Sequence, residues 1–578
     1  MAESKPPLPP TGGGGHSSLP SGISVPSIVS ANVKSFLRTD RAADSQGRTR
    51  NFYDDIHTPV PDDSGANLDS TALPLNALNA PAGASTASAK AAAARADSLA
   101  LLQSIWRGVI GANDAVETPF GPRKITYADY TASGRALSFI EDYIRQEVLP
   151  LYANTHTLSD ATGLQTTLFR QEARDIIKRA VRGSIHDTVL FCGSGATACV
   201  DTAVRLLQLR EMADAAKREH TALPVVLVGP YEHHSNLLPW RESGAIVITI
   251  PETPAPHTAP NNATAAALHA AQNSTDNNSM QCIGALCRSA AGLVTFPPSD
   301  NTNATSDTVS ASAMGASTVQ RQGAGGGLDR AALEAALAAA AAAGAPLIVG
   351  SFSAASNVTG ALEDTVAVTA MLKRYGALSC WDYAGAGPYV PIDMNPDNND
   401  ALRKDLVFLS PHKLVGGVST PGVLVAAKGL LARRAVPVRP GGGTVLWVGT
   451  RGHEYLANLE EKEEGGTPEI VGAIRAGLVF QLKQAVGPTM LARREKALAA
   501  LAHRAWRTHP HILLLGNTNT PLVTGSNAQL TTEAPARLPI LSFAVRYAPD
   551  PSLLLHHNFV AALLNDLFGI QVRVHDFH

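Results

Sequence analysis

The stretch Asp405-Leu-Val-Phe-Leu-Ser-Pro-His-Lys-Leu-Val-Gly-Gly417 decides how the rest of the chain is interpreted. Its apolar run, Leu406–Leu409, predicts a short buried strand that ends at Ser410. Lys413 therefore lies on a loop just beyond a strand, where two following glycines let another group approach the backbone. Lysine forms Schiff bases with carbonyl cofactors once burial lowers its pKa. A surface lysine after a strand is the alternative that this motif alone favours.

Composition and charge narrow the class of protein. The chain has 578 residues, enough for two or three domains, with 45% hydrophobic and 17% charged residues, which is typical of a soluble enzyme. A formal net charge of −2 gives no reason to expect nucleic acid or an anionic membrane. The longest apolar runs fall short of the ~20 residues that span a bilayer. Five scattered cysteines fit reduced thiols, so we expect a cytoplasmic protein. From the charge and the apolar runs, we expect neither a nucleic-acid nor a membrane partner.

Amino-acid composition and apolar pattern divide the chain into four parts. Residues 1–92, rich in Pro, Gly, Ser and Ala, predict a disordered low-complexity tail, and organellar targeting by this tail is left open. Residues 93–160 form an N-terminal segment expected at the small domain and the active-site entrance. Residues 161–465 predict a large domain carrying a low-complexity surface insertion at 251–327. Residues 466–578 predict a smaller α+β domain that we expect to be cut short.

Strands and helices alternate through the large domain. We predict strands at 188–192, Val225–Val228, 246–250, 347–351, 377–381 and Leu406–Leu409. We predict helices at 97–106, 196–210 and 329–343. This alternation indicates an α/β fold with a mostly parallel sheet between helices. Beyond it we predict helices at 469–486, 488–508 and 554–568, and strands at 512–515 and 539–545.

Two stretches at strand ends suit binding of an anion and of a flat ring. Phe191-Cys-Gly-Ser-Gly-Ala-Thr197 joins a strand to a helix, where free backbone amides and the helix dipole favour a phosphate, although an ordinary tight turn explains it equally well. Gly229-Pro-Tyr-Glu-His-His-Ser-Asn-Leu-Leu-Pro-Trp240 follows the next strand, and a histidine there can stack on a heteroaromatic ring or relay protons. A capped helix N-terminus is the alternative for this second stretch.

Two further stretches add polar groups at strand ends. In Leu378-Ser-Cys-Trp-Asp-Tyr-Ala-Gly-Ala-Gly387, Asp382 closes an apolar strand, where a buried carboxylate needs a cation such as a protonated pyridine nitrogen. A structural N-cap is the alternative role for Asp382, and the small Ala384 leaves room for a ring face. In Ser351-Phe-Ser-Ala-Ala-Ser-Asn-Val-Thr-Gly360, Asn357 either donates to an oxygen on a cofactor ring or holds a turn.

Together and in this order, these stretches resemble fold-type I pyridoxal-phosphate enzymes of the class V aminotransferase family, in its cysteine desulfurase-like branch. The most specific match is Glu232-His-His-Ser-Asn-Leu-Leu-Pro-Trp240, which is similar to that branch's Glu-His-His-x-Asn-x-x-Pro-Trp motif. The resemblance implies the fold-type I architecture, a large domain with a mostly parallel seven-stranded sheet plus a small α+β C-terminal domain. It also implies pyridoxal 5'-phosphate as cofactor and an amino acid as substrate.

The resemblance assigns roles at the cofactor. His233 would stack on the ring, Asp382 would hold the pyridine nitrogen and Asn357 would touch the ring hydroxyl. Lys413 would form the internal aldimine, with His412 beside the phosphate. The cofactor-binding residues implied in this way are Ser194, Gly195, Ala196, Thr197, His233, Asn357, Asp382, Ala384, Ser410, His412, Lys413 and Thr467.

The resemblance also implies a substrate site and a homodimer. Tyr127-Ala-Asp-Tyr-Thr-Ala-Ser133 resembles the family's substrate loop, and Asn154-Thr-His156 resembles the segment at the substrate entrance. Glu464-Gly-Gly-Thr-Pro468 is similar to a loop whose threonine reaches the neighbouring subunit's phosphate, so shared active sites are expected. The substrate-binding residues expected are Ala132, Ser133, Asn154, His156 and Arg573.

Two departures shape the functional prediction. The family often has Gln or His where Gly385 stands, and none of the five cysteines lies on a segment resembling the persulfide loop. We therefore predict a transferase or lyase acting on an amino acid, with Lys413 and His233 as catalytic residues. The alternative is a dimeric cofactor-binding pseudoenzyme, or a truncated product lacking the persulfide-cysteine loop.

Other classes of function are disfavoured. The loop at 193–197 matches neither the hydrolase motif Gly-x-Ser-x-Gly nor a Walker loop, so a hydrolase-like or nucleotide-binding protein is not favoured. No metal site is predicted, because Cys282 and Cys287 lack a second ligand pair at zinc-site spacing.

Overall fold

The computed structural model describes residues 100–157, 159–253, 327–516 and 537–574. The predicted N-terminal tail, most of the predicted insertion and the final four residues lie outside the described residues. The strands are β1 (Ala115–Val116), β2 (Arg123–Lys124), β3 (Thr126–Tyr127), β4 (Asp187–Cys192), β5 (Val225–Val228), β6 (Ile246–Thr249), β7 (Ile348–Ser353), β8 (Leu378–Asp382), β9 (Leu406–Leu409), β10 (Gly422–Ala427), β11 (Val445–Gly449), β12 (Gly452–Tyr455), β13 (Ile512–Leu514), β14 (Phe543–Tyr547), β15 (Asp550–Leu554) and β16 (Ile570–Gln571).

Helices lie between most of these strands. They are α1 (Ser138–Tyr143), α2 (Ala161–Ala180), α3 (Gly195–Leu206), α4 (Leu209–Glu219), α5 (Leu238–Arg241), α6 (Arg330–Ala342), α7 (Thr365–Arg374), α8 (Lys428–Ala432), α9 (Leu459–Glu463), α10 (Ile470–Val486), α11 (Pro488–Arg507) and α12 (His557–Phe568). A further helical segment covers 100–108. Among the residues that the structure describes, no helix is both long and apolar enough to cross a membrane.

A seven-stranded sheet in the order β4-β10-β9-β8-β7-β5-β6 forms the centre of the molecule. The pairs β5–β6, β5–β7, β7–β8 and β8–β9 are parallel, whereas β10 is antiparallel to both β9 and β4. The predicted α/β fold with a mostly parallel sheet is therefore confirmed. Such a sheet places the carboxyl ends of its parallel strands along one edge.

Continuous apolar runs make these strands, because both faces of the sheet are covered. All four residues of β5 and all four of β9 are buried. Alternate side chains enter opposite cores, with Val225 and Leu227 on one side and Val226 and Val228 on the other. Phe169 of α2 belongs to the first core and Val200 of α3 to the second, so each face is covered by a helix.

Several local predictions are wrong in their bounds. The helix predicted at 196–210 is two helices, because Gln208 adopts the left-handed conformation with φ of 53° between α3 and α4. The helix predicted at 554–568 begins only at His557, since Leu554 ends the strand β15. The strand predicted at 539–545 begins at Phe543. Strand β10 and the hairpin β11–β12 had no counterpart in the prediction.

The C-terminal residues form a smaller α+β unit. Strands β13, β14 and β15 form an antiparallel sheet. The β16 strand leaves this unit and pairs in parallel with β3, in the register Ile570 with Thr126 and Gln571 with Tyr127. The chain after β16 is thereby held beside the N-terminal segment, close to the substrate loop predicted from the sequence. The domain boundaries themselves stay a prediction.

Candidate active site

Most of the predicted site residues line one cavity of ≈ 200 Å³. Those in its wall are Ala132, Ser194, Gly195, Ala196, Thr197, His233, Asn357, Asp382, Ala384, Ser410, His412, Lys413 and Arg573. They come from the loops that follow β4, β5, β7 and β9, from the end of β8, and from the segments beside β3 and β16. The cavity therefore lies beyond the carboxyl ends of the parallel strands, where open α/β sheets bind ligands.

The N-terminus of α3 offers an anion cradle in this cavity. Ser194 is the N-cap residue and makes no side-chain capping bond. Gly195 has φ of +55°, and a Cβ there would lie 2.8 Å from Cε1 of His412, so only glycine fits. The Ala196 N–H donates to Oγ of Ser410 at 2.9 Å, which fixes the loop after β9 against the loop after β4. Free amides and the helix dipole at this point favour a phosphate.

His233 lies at the open side of the cavity on a loop held by short polar contacts. Its Nδ1 accepts a hydrogen bond from the Ser235 N–H at 3.1 Å, so a neutral ring carries its proton on Nε2. The Thr197 hydroxyl donates to Oγ of Ser235 at 2.7 Å. The histidine loop is therefore tied directly to the helix that forms the anion cradle.

A buried polar network beneath His233 was missed by the sequence prediction. The carboxyl group of Glu232 accepts hydrogen bonds from the Ser353 N–H at 2.8 Å, from the Ser353 hydroxyl at 2.6 Å and from Nδ2 of Asn236 at 2.6 Å. Burial raises the pKa of Glu232 to about 7, although these bonds oppose the rise. Asn236 Oδ1 accepts from Nε1 of Trp240 at 3.1 Å and from Oγ of Ser351 at 2.7 Å. The four-residue spacing of Glu232, Asn236 and Trp240 was the available signal.

Asp382 and Lys413 form the charged centre of the cavity. Asp382 is 5% exposed and accepts a hydrogen bond from the Ala384 N–H at 2.7 Å. Burial raises the pKa of Asp382, and the Ala384 N–H and Lys413 offset this only in part. Burial likewise lowers the pKa of Lys413 despite the attraction of Asp382, and burial together with Lys413 lowers the pKa of His412. Both charges are underpaired, so a cationic group beside Asp382 would be stabilised.

The predicted substrate loop packs directly on the lysine loop. The Gly134 N–H donates to the His412 carbonyl at 2.8 Å, and a Cβ on Gly134 would lie 2.0 Å from the Leu414 carbonyl oxygen. This contact places Ala132 in the cavity wall. The Ser133 hydroxyl instead donates to the Gly134 carbonyl at 3.1 Å and is not part of the wall.

Arg573 reaches the cavity because β16 pairs with β3. Its Nε donates to Oδ1 of Asp129 at 3.2 Å and lies 3.3 Å from Oδ2. Half of the Arg573 side chain is exposed. A guanidinium in this position can bind a carboxylate through its two Nη groups.

Besides Ser133, three predicted residues lie outside the cavity. Nδ2 of Asn154 donates to Oγ1 of Thr467 at 3.4 Å. The ring of His156 lies against Gly443, where an added Cβ would be 2.8 Å from the ring. Asn154, His156 and Thr467 therefore lie in a separate cluster on the surface, near the hairpin β11–β12.

A buried ion cluster beside the Thr467 loop was also missed. Glu464 is paired with both Arg170 and Arg174, and its Oε1 accepts the Phe191 N–H at 2.7 Å. Burial opposes the charge of Glu464, but Arg174 and Arg170 outweigh it and lower the pKa of the carboxyl group. The cluster anchors the start of this loop to β4 and α2. No local sequence pattern brings α2 and this loop together.

A comparison with known families finds a similarity in the second half of the chain. Residues 331–533 match the family model described as Aminotransferase class-V. The match covers 203 of the 578 residues, so this part of the chain is similar to class V aminotransferases. The predicted resemblance and the predicted fold-type I architecture are thereby confirmed.

Two curated relatives illustrate this similarity. The chain is 28% identical over 168 residues to a probable cysteine desulfurase of Streptomyces coelicolor, covering 29% of this chain and 38% of the relative. It is 32% identical over 148 residues to a probable cysteine desulfurase of Aeropyrum pernix, covering 25% of this chain and 34% of the relative. The matches thus span little more than a third of these relatives.

The fold is similar to the apo structure of a cysteine desulfurase from Thermococcus onnurineus NA1. The TM-score is 0.51 and the sequence identity 17%, and the match covers 78% of this chain and 84% of that one.

The family uses pyridoxal phosphate, and the cavity residues fit it. The anion cradle at Gly195 suits the phosphate, because an uncapped helix N-terminus and the Ser410 loop meet there. The underpaired, buried carboxyl group of Asp382 suits a protonated ring nitrogen. Lys413, with its pKa lowered by burial, suits covalent attachment through its amine.

Proposed function

We propose that the chain is a pyridoxal-phosphate-dependent enzyme acting on an amino acid, with Lys413 as the lysine that binds the cofactor covalently. One observation carries this proposal. Residues predicted from loops spread between 132 and 573 line a single cavity that contains an underpaired Asp382 and a partly buried Lys413. Turns with unrelated structural roles would not converge in this way.

The cofactor-binding roles follow from the chemistry of each side chain. Ser194 and Thr197, with the amides at the start of α3, would hold the phosphate together with His412. His233 and Ala384 would contact the ring faces. Asn357 would donate to a ring oxygen.

Proton transfer is assigned to Lys413. Bound pyridoxal phosphate supplies an electron sink for charge that develops at the substrate's α-carbon. Because burial lowers the pKa of Lys413, its Nζ is neutral in a larger fraction of molecules and can accept the α-proton. The Ala384 N–H binds Oδ1 of Asp382. The other carboxylate oxygen of Asp382 would therefore remain for the ring nitrogen.

Arg573 would orient the substrate carboxylate. Among the described residues, Arg573 donates to the Asp129 carboxylate through its Nε, so its two Nη groups are available for a bidentate pair. The same pair would stabilise the carboxylate beside the substrate loop that carries Ala132. The described cysteines Cys192, Cys199 and Cys380 are buried outside the cavity wall, so the proposal assigns no role to a thiol.

A homodimer with shared active sites is part of the proposal. Asn154, His156 and Thr467 form a cluster outside the cavity, beside a hairpin whose Leu446, Trp447 and Val448 are 66%, 50% and 73% exposed. Exposed apolar side chains beside predicted site residues suit contact with a second copy. Mixing inactive Lys413→Ala with inactive Thr467→Ala should restore part of the activity if the sites are shared, and no restoration would contradict sharing.

The visible absorbance of purified protein tests the central proposal. After incubation with pyridoxal phosphate and removal of the excess, the wild-type protein should absorb near the wavelength of a protein-bound cofactor, and cysteine or alanine should shift the band. Lys413→Ala should lose the lysine-bound band. A colourless protein that takes up no cofactor would contradict the enzyme proposal and favour a non-catalytic relative.

A further inference from the structure

A second and larger cavity adjoins the candidate active site. Its volume is ≈ 540 Å³, which lies in the range of cavities that hold small molecules. Thr131 and Lys413 belong to the walls of both cavities. The second cavity lies between the helical segment 100–108, helices α10 and α11, and residues 539–541. Nothing in the roles assigned above uses this space.

Aliphatic side chains make up most of its wall. They come from three separate parts of the chain, so the cavity is a feature of the tertiary fold. Representative members are Leu102, Ile105, Val479, Leu482, Leu498 and Ile540. Such a lining stabilises an apolar group in proportion to the surface that it removes from water.

The few polar groups in the wall do not offer a binding site for a charged side chain. The Lys483 amine donates to the carbonyls of Gly387 at 2.5 Å and Val390 at 2.6 Å, so it is engaged with the wall itself. Burial lowers the pKa of Lys483 to about 7, and burial raises the pKa of Glu495 and of Tyr130. These directions indicate surroundings that disfavour charge of either sign.

Resting on the proposed function, we infer that this cavity receives the side chain of the amino-acid substrate, and that the substrates are amino acids with long aliphatic or aromatic side chains. Because Thr131 and Lys413 line both cavities, an amino acid whose amine lies at Lys413 would have its side chain beside the apolar space. A methyl group would leave most of this space to water. A longer hydrocarbon would displace that water and contact the aliphatic wall.

A side-chain series tests the inference through binding. The absorbance change of the cofactor-loaded protein is titrated with alanine, 2-aminobutyrate, norvaline, norleucine and phenylalanine. Each added methylene should lower the half-saturating concentration by about threefold to fourfold, giving roughly 50-fold between alanine and norleucine. Phenylalanine should bind at least as tightly as norvaline.

A cavity-filling variant and its control test whether the dependence on side-chain length comes from this cavity. Ala502 lines the cavity, whereas Ala497 is exposed on the same helix and does not line it. Ala502→Phe should weaken norleucine by about tenfold or more and leave alanine within about twofold, while Ala497→Phe should leave both unchanged. If Ala502→Phe does not fold, the wild-type series still decides.

The outcomes separate the inference from the proposed function. Equal half-saturation for alanine and norleucine, or equal weakening of both by Ala502→Phe, would overturn the inference while the response to alanine upholds the proposed function. No response to any amino acid would overturn both. A graded series that Ala502→Phe flattens and Ala497→Phe preserves would support the inference.

Discussion

The carboxyl groups of Asp382 and Glu464 are both nearly buried, at 5% and 8% exposure, yet their surroundings differ. Glu464 is surrounded by two arginines and a backbone N–H, which lower its pKa against the effect of burial. Asp382 has one backbone donor and the partial compensation of Lys413, so burial prevails and raises its pKa. Removing one partner of a buried ion pair destabilises the fold, whereas an underpaired buried acid indicates a place for a ligand.

Removing the paired acid should have the largest effect on stability. Glu464→Ala leaves Arg170 and Arg174 buried without their partner, and we expect the free energy of unfolding to fall by about 3–5 kcal/mol. Urea unfolding followed by circular dichroism measures this change. The control is Glu334→Ala, which breaks an exposed pair with Arg374 and should cost less than about 1 kcal/mol. An equal loss of stability in Glu464→Ala and Glu334→Ala would contradict the role of Glu464 as a buried, fully paired acid.

Removing the underpaired acid should affect cofactor binding instead. Asp382→Asn takes away a buried negative charge, so the protein without cofactor should unfold at the same or a higher urea concentration. The affinity for pyridoxal phosphate should fall by about 10- to 100-fold, since a hydrogen bond to a charged group is lost.

A buried acid just before the start of the neighbouring strand β9 provides the control. Asp405 is also buried and is paired with Lys373 at 2.6 Å, outside the cavity. Asp405→Asn should lower stability and leave the affinity for the cofactor unchanged. The opposite pattern for the two variants would contradict the assignment of Asp382.

The anion cradle depends on a backbone conformation. Gly195→Ala places a Cβ at positive φ and against His412, so we expect a loss of about 1–2 kcal/mol in stability and weaker cofactor binding. Gly193→Ala is the control in the same loop, because its Cβ would meet only Cβ of Ala198, at 3.5 Å. Fluorescence titration with pyridoxal phosphate compares the two variants. Equal affinities would show that the cradle does not hold the phosphate.

The smallest effect is a pair of opposite pH dependences in the cofactor-free protein. Folding raises the pKa of Asp382, so the folded state holds this proton to a higher pH than the unfolded state does. The wild-type protein should therefore lose stability relative to Asp382→Asn as the pH rises above about 3.9. The pKa of Glu464 is lowered, so its contribution is present above about 4.3 and is lost as pH falls through its folded value. Urea midpoints between pH 3 and 8 measure both, and slopes of the same sign would contradict the comparison.

The sequence predicted the parts of the site that local pattern determines. Leu406–Leu409 was located to the residue, because a continuous apolar run bounded by Ser410-Pro411 marks a buried strand and its end. The order of the strand-end loops then predicted which side chains meet. The Glu464 cluster was not predictable, since Arg170 and Arg174 lie about 290 residues away in sequence and only the tertiary fold brings them together. Likewise, the break at Gln208 rests on one residue's left-handed backbone, which no apolar spacing signals.

Among the described residues, burial lowers the pKa of three lysines, and the proposed function places the cofactor on one of them, Lys413. Lys404 has its pKa lowered to about 8 and donates to the Asp393 carbonyl at 2.7 Å, and Lys483 has its pKa lowered to about 7. Neither lines the cavity that contains Asp382, whereas Lys413 does. A lowered pKa alone therefore does not single out Lys413, and its position does.

Borohydride reduction of the cofactor-loaded protein, followed by digestion and mass spectrometry, tests this claim most directly. The reduced cofactor should be found on the peptide that contains Lys413. Its presence on Lys404, on Lys483 or spread over exposed lysines would contradict the assignment of the active site.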